Sequence, residues 1–296
     1  MRAITIGYGS IGRNRTSILR DMGVDVITID IDEIDNLDKI LESNSFDFGL
    51  VCTPSNLHLE HVSKLSSHKI NFFCEKPYFS KLNNNILTAI ENHVKNYNLI
   101  NMVACNWRFS DRIKSIPDNT RFIKVRFGYN LAQWRNDGKH RQLYSANRSM
   151  GGGVLMDAIH ELDYLYYKFG KIKKINISEH TVSYITNDTE DYVIGSIEFE
   201  CGTLAIFELD YLSMVYQRYY EFLDEKDKLI KINLIDNAHI KSNVDEYAKI
   251  LYHDELKYFV DCVESKAACM NNVLESRYLL EKLFSGHNKL YICTKE

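Results

Sequence analysis

The sequence predicts an α/β protein: an N-terminal doubly wound parallel sheet, followed by an α+β domain with a mixed or antiparallel sheet. Three observations lead there. A short strand runs into the glycine turn Gly7-Tyr8-Gly9-Ser10-Ile11-Gly12, strand-like and helical stretches then alternate to about Asn106, and beyond Pro117 the apolar spacing falls to a period of two. The chain of 296 residues is long enough for one large domain or two ordinary ones.

The elements follow in order. Arg2 to Gly7 is an apolar run closed by glycine, and Ile11 to about Met22 has helical spacing. Gly23 interrupts, and Val24 to Asp30 reads as a second strand. A polar helix, about Glu33 to Ser43, precedes a third strand, Phe46 to Thr53. Pro54-Ser55-Asn56 turns into a helix from Leu57 to about Ser67, and Ile70 to Cys74 is a fourth strand. A helix from Asn84 to Lys95 and a fifth strand from Leu99 to Asn106 complete the series. Such alternation implies βαβ units with right-handed crossovers, hence helices on both faces of the sheet.

From Arg121 to Tyr129 the pattern alternates, as a half-exposed antiparallel strand does. A basic, aromatic-bearing loop from Gln133 to Met150 leads to a helix carrying Asp157, His160 and Asp163. Further alternating segments are 174–183, 192–200, 203–211, 219–223 and 229–232, and helical spacing returns from Asp245 to Phe284. The expected division is a dinucleotide-binding domain over 1–118 and a substrate-binding, oligomerising domain over 119–296.

Composition narrows the function classes. A net charge of −4 gives no basic field for nucleic acid or an anionic membrane. The seven cysteines form no C-x-x-C pair, and Cys52 and Cys74 sit in apolar runs, which reads as reduced, buried thiols. The chain opens directly on a strand, without the pattern of a secretory leader, and no apolar run approaches the roughly 18 residues of a membrane span. A cytoplasmic protein is expected. The ten histidines show no metal-ligand spacing, so no metal is expected.

A strand running into G-x-G-x-x-G places backbone N–H groups at a helix N-terminus, where partial positive charge holds a pyrophosphate. Gly7 permits the turn, Gly9 lets the phosphates approach, and Gly12 lets the helix sit close to the sheet. Ser10 and Ile11 open that helix and belong to the same candidate site. The acidic residue expected about 20 positions on is Asp30, whose carboxylate accepts from a ribose 2′-hydroxyl and repels a 2′-phosphate. NAD is therefore favoured over NADP.

Glu75-Lys76-Pro77 falls where the fourth strand ends, the edge at which open α/β sheets bind ligands. Lys76, partly desolvated there, can donate to the substrate oxygen that changes oxidation state and act as acid or base, with Glu75 to orient it. A solvated surface lysine is the other reading. Gly151-Gly152-Gly153 permits close backbone approach to a cofactor or a second domain. Asp157 and His160, three apart, lie on one helical face, as do His160 and Asp163. His160 can exchange a proton near neutrality, with either carboxylate to orient it. A capping Asp157 and a core histidine are the alternative. In the preceding loop, guanidinium groups including Arg135 can bind carboxylate or phosphate, and Trp134 and Tyr144 can stack on a sugar.

Taken together, Gly7 to Gly12, Cys52-Thr53-Pro54-Ser55-Asn56 with His58, Glu75-Lys76-Pro77, Asn106 to Phe109, and Gly151 to Asp163 resemble the glucose–fructose oxidoreductase / inositol dehydrogenase / MocA (Gfo/Idh/MocA) family. The resemblance implies a Rossmann domain followed by an α+β domain with an open-faced, mostly antiparallel sheet that often supports oligomers, here a dimer or tetramer. Members move a hydride between NAD(P) and a carbon of a sugar or polyol. By position Lys76 is the catalytic lysine, His160 the acid/base or oxygen-binding imidazole, and Asp157 its companion. Members usually space that aspartate and histidine by four, and here the interval is three. Thr53, Pro54, Asn56 and His58 would line the nicotinamide side, next to Glu75 and Lys76, and Arg108 joins Trp134, Arg135, Tyr144 and His160 as substrate-binding residues. The stretch from Trp134 to Ala146 looks like members associated with surface-glycan sugars, which agrees with an anionic sugar substrate. Reduction of a C=C or C=N bond and a non-catalytic NAD-sensing protein are the rival functions.

Overall fold

A computed structural model of the chain describes residues 1–134, 138–236 and 241–286. The chain divides into two compact units, Met1–Phe109 with Ala248–Tyr278, and Ser110–Tyr247 with the chain from Leu279 onward. A cut at 118/119 leaves residues 248–278 with the second unit. A helical period identifies a helix but not the sheet it packs on.

In the first unit, β1 (Arg2–Ile6), β2 (Asp25–Ile29), β3 (Phe48–Val51), β4 (Asn71–Cys74) and β5 (Asn101–Val103) form a parallel sheet of order β2-β1-β3-β4-β5. Between them run α1 (Ser10–Asp21), α2 (Leu37–Ser43), α3 (His58–Ser67) and α4 (Asn84–Tyr97). The central strands are continuous apolar runs because both faces are covered; all four residues of β3 are buried. Asn83 caps α4 by accepting the Ile86 N–H at 3.3 Å, and Asn98 ends it in the left-handed region at φ 51°.

The second unit begins with α5 (Asp111–Lys114) and β6 (Phe122–Gly128), then α6 (Leu131–Trp134), α7 (Val154–Asp157) and α8 (Ile159–Phe169). Next come β7 (Ile172–His180), β8 (Tyr192–Phe199), β9 (Leu204–Asp210), β10 (Gln217–Leu223) and β11 (Leu229–Asn233), with α9 (Lys241–Ser265) and α10 (Val273–Ser285) last. Its six-stranded sheet runs β11-β10-β6-β9-β8-β7, and only the β6–β9 pair is parallel. Period two gave the strands but not their directions. The alternation has a plain cause: α8 packs on β6, while Ile194, Leu204 and Ile206 stay part-exposed on the sheet.

The core of the first unit includes the C-terminal part of α9. Phe259 meets the rings of Phe48 at 5.4 Å and Phe73 at 5.5 Å, both edge-on, and Leu256, Val260 and Cys262 join the same apolar cluster. Each such side chain contributes about 1.5–3 kcal/mol by burial, enough to fix this helix to that sheet. Among the described residues no helix is long and apolar enough to cross a membrane.

Candidate active site

The glycine turn follows β1, and β1 lies between β2 and β3, so the turn sits at the point where the strand order reverses. Gly7 has φ +93°, and a Cβ there would come within 2.8 Å of the Cys52 carbonyl and Thr53 N. A Cβ on Gly12 would lie 2.0 Å from the Gly7 oxygen, which explains that glycine as helix-to-turn packing. Among the described residues nothing lies within 4 Å of such an atom on Gly9, and so there is room for a ligand. α1 starts at Ser10 with no side-chain cap and no acidic residue in its first turn, leaving the helix N-terminus suited to an anion. Ser10 is exposed and Ile11 part-buried. Asp30 is exposed, and its Oδ1 accepts the Tyr8 N–H at 3.2 Å, while Arg13 Nη1 donates to the Tyr8 carbonyl at 3.0 Å. A carboxylate can accept several hydrogen bonds, so Asp30 can serve a ribose while steadying the turn. These residues fit NAD.

At the end of β3, Pro54 and Asn56 are exposed and Thr53 is part-buried. His58 departs from its expected place. It is 1% exposed, with Nδ1 at 2.7 Å from the Pro77 oxygen and Nε2 at 2.8 Å from the Thr53 oxygen. Since α3 turns this side chain inward, it grips the backbone instead of lining a ligand. His61, which the sequence reading did not single out, meets the Thr53 hydroxyl at 3.1 Å through Nδ1. Its signal is the spacing: 58, 61, 62 and 65 form the buried stripe of α3.

Lys76 follows β4 and is part-buried, and its peptide bond to Pro77 is cis. Glu75, expected to orient Lys76 and touch cofactor, is only 6% exposed. Its Oε1 accepts from Arg15 Nε at 2.7 Å. On the other side of Arg15, Nη2 lies 2.6 Å from Glu255 Oε2 as an ion pair, and the guanidinium stacks on the Tyr252 ring at 4.4 Å. Burial works against the Arg15 charge, but Glu255 and Glu75 outweigh it and raise its pKa. Arg108 is likewise not placed to bind substrate: it is 2% exposed and donates to Asn271 at 3.1 Å and Glu275 at 3.2 Å.

In the second unit the helix expected to carry both Asp157 and His160 is interrupted. α7 ends at Asp157, Ala158 has φ −91° and ψ 21°, and α8 starts at Ile159. The i,i+3 relation therefore does not hold across this break. Asp157 is instead the acceptor for a set of hydroxyls: Tyr129 at 2.9 Å, Tyr211 at 3.2 Å, Ser145 at 3.3 Å, and Tyr144. Tyr129 and Tyr211 follow β6 and β9, whose last residues, Gly128 and Asp210, are paired in register, so the two phenols emerge together. Burial, then the Asp157 carboxylate, raise both tyrosines well above the ordinary phenol range and keep them as donors. His160 is part-buried in the first turn of α8, and Asp163 is buried.

The glycine triplet serves this same unit. A Cβ on Gly152 would lie 1.9 Å from the Tyr144 oxygen, and one on Gly153 2.1 Å from Glu190 Oε1. Tyr144 is part-buried, and Trp134 stacks on Tyr216 at 5.9 Å and meets Tyr129 at 5.1 Å. Among the described residues the loop's guanidinium groups are engaged within the unit: Arg141 donates to the Tyr184 carbonyl, and Arg148 bonds Asp188 and Glu190. Arg135 lies outside the described residues.

Two models of one family match the chain. "Oxidoreductase family, NAD-binding Rossmann fold" covers residues 23–97, and "GFO/IDH/MocA C-terminal domain" covers 119–229. An uncharacterized oxidoreductase of Streptococcus pneumoniae is 24% identical over 209 residues, 66% of this chain and 53% of that protein. The 2,7-anhydro-N-acetylneuraminate hydratase of Mediterraneibacter gnavus is 22% identical over 218 residues, 70% and 57% of the respective chains. The chain thus spans little more than half the length of these curated relatives. In fold it is similar to the WlbA dehydrogenase of Bordetella pertussis, solved with NADH and UDP-GlcNAcA. The TM-score is 0.78 at 14% identity, over 97% of this chain and 95% of that one. The chain belongs to the GFO/IDH/MocA oxidoreductase family, with an NAD-binding Rossmann fold in its N-terminal unit.

Proposed function

We propose that this chain is an NAD-dependent oxidoreductase moving a hydride between nicotinamide and a hydroxyl or keto carbon of an anionic sugar, one of bacterial surface-glycan synthesis. The observation that carries the reading is the position of Lys76. It follows β4, at the same C-terminal edge of the parallel sheet as the glycine turn after β1, with Thr53 after β3 between them.

Gly7, Gly9 and Gly12, with the first turn of α1, would hold the pyrophosphate, and Asp30 the ribose. Thr53, Pro54 and Asn56 would line the nicotinamide side. When bound, the nicotinamide takes up or returns the hydride. Lys76 donates a hydrogen bond to the oxygen on the reacting carbon and draws its developing charge. In the oxidative direction the hydroxyl proton passes to Lys76 where it starts as the neutral amine, or to His160 while Lys76 stays an ammonium. Asp157 moves no proton in this reading; it fixes Tyr144, a candidate to contact the sugar together with Trp134.

Support for an anionic sugar comes from the relatives: one is named for a neuraminate, and another was solved with UDP-GlcNAcA. Half-exposed Ile194, Leu204 and Ile206 on the open sheet face support a homo-oligomer, dimer or tetramer, which sedimentation would test. The test of function is Lys76→Ala on a panel of sugar acids and sugar nucleotides, followed by NADH absorbance. Turnover is expected to fall roughly 10²–10⁴-fold with NAD affinity unchanged. Near-normal turnover in Lys76→Ala would remove the lysine from the mechanism.

A further inference from the structure

His58 lies between two main-chain oxygens, those of Pro77 at 2.7 Å and Thr53 at 2.8 Å, and is 1% exposed. Carbonyl oxygens only accept, and a neutral imidazole has one N–H. With a neutral ring, one of these contacts would set a nitrogen lone pair against an oxygen lone pair. Both are hydrogen bonds only when both nitrogens carry protons. The closed arrangement therefore binds one proton more than an arrangement in which either carbonyl is released.

The groups acting on the ring are few. Burial, the largest influence, lowers its pKa, and the Lys76 ammonium works the same way. The bonds to Pro77 and Thr53 and the Glu75 carboxylate act in the opposite direction. His61 lies three residues along α3 and meets the Thr53 hydroxyl, and charge on the His58 ring disfavours charge on it. Of the two oxygens, one belongs to Pro77, the residue bonded to Lys76. The other belongs to Thr53, on the candidate nicotinamide side.

We propose that His58 is a proton-operated positioning residue for Lys76: doubly protonated, it ties the Thr53 and Pro77 carbonyls together and fixes the turn that carries the lysine. Loss of one proton frees one end of the tie. This rests on the reading of Lys76 as the lysine that meets the substrate oxygen.

The experiment uses the full chain with NAD and ring-¹⁵N-labelled histidine. Long-range ¹H–¹⁵N spectra are followed through the histidine titration range, with His58→Asn to assign the signal and the backbone amides of Lys76 and Tyr78 read in parallel. The expected result is that those amides and kcat move with the His58 midpoint. His58→Gln, which has no ring proton to lose, loses the inflection. The proposal is overturned if His58 titrates while the amides of Lys76 and Tyr78 stay still, if the ring keeps one neutral tautomer throughout, or if the inflection survives in His58→Gln. Should His58→Gln not fold, the wild-type spectra alone decide. Failure of the Lys76 reading shows separately, as normal turnover in Lys76→Ala with the amide coupling intact.

Discussion

Glu75 and Arg15 form a buried ion pair, Oε1 to Nε at 2.7 Å, immediately ahead of Lys76 in the chain. Arg15 lies on α1, whose N-terminus faces the candidate pyrophosphate position, and Glu75 closes β4. One guanidinium thus holds α1 to the turn that carries the lysine. Through Glu255 it also holds α9, whose N–H partner at Cys105 places the same carboxylate against the end of β5.

Arg15→Met should therefore damage the fold before it damages chemistry. It leaves the Glu75 and Glu255 carboxylates buried without their counter-charge, a change that costs about 3–5 kcal/mol. Urea unfolding would measure it. Adding Glu75→Gln to Arg15→Met should recover part of the loss, because one of the stranded charges is then gone. A double variant no more stable than the single one would show that the pair carries no such coupling.

The same cluster gives the protein a pH dependence of definite sign. Burial pushes Glu255 from 4.5 up to about 7, Arg15 pulling the other way and Glu75 adding to the rise. The folded state holds this proton more tightly than the unfolded state. The contribution is whole below pH 4.5 and is lost as pH rises to about 7, on the order of 3 kcal/mol. Glu190, also raised by burial to about 7, adds in the same direction. Unfolding free energies measured across that window should decline with pH in the wild type and decline less in Glu255→Gln.

Most of the fold was legible because each sheet imposes its own spacing: doubly covered strands read as continuous apolar runs, and singly covered ones alternate. Motifs such as Gly7 to Gly12 were legible because the turn against Cys52 and Thr53 admits only glycine at Gly7, and the close approach of α1 to the Gly7 carbonyl admits only glycine at Gly12. Partners distant in sequence were not. Nothing near Arg15 announces Glu255, although a charged residue within the buried stripe Gly12, Arg15, Thr16 and Leu19 is a signal that a counter-charge exists. Local spacing also misled at Asp157, where the helix breaks at Ala158 and three tyrosines from separate segments take the carboxylate. His58 was legible as part of a motif but not as a backbone clamp, because the oxygens it meets come from two different loops.

Asp157→Asn tests the hydroxyl cluster. The amide keeps one acceptor oxygen where the carboxylate offers two, so at least one of Tyr129, Tyr144 and Tyr211 loses its partner. A stability loss of about 1–3 kcal/mol is expected. Turnover should fall less than in Lys76→Ala, and Tyr144→Phe should show up in KM for the sugar. A well-folded Asp157→Asn as inactive as Lys76→Ala would return the aspartate to the proton-transfer step.

Asp30→Ser addresses the cofactor. In the structure the Asp30 carboxylate steadies the glycine turn through the Tyr8 N–H, and Arg13 holds the carbonyl of the same residue. Serine can replace that acceptor only in part, and it removes the negative charge that repels a 2′-phosphate. Hydrogen bonds to a charged group are worth about 1.5–3 kcal/mol, so the Kd for NAD should rise roughly 10- to 100-fold. Binding of NADP should improve relative to NAD, because the repulsion is gone. Calorimetric titration of both nucleotides reads the two effects separately. An Asp30→Ser protein that binds NAD like the wild type, with unchanged discrimination, would mean that the ribose sits elsewhere on the edge of the sheet.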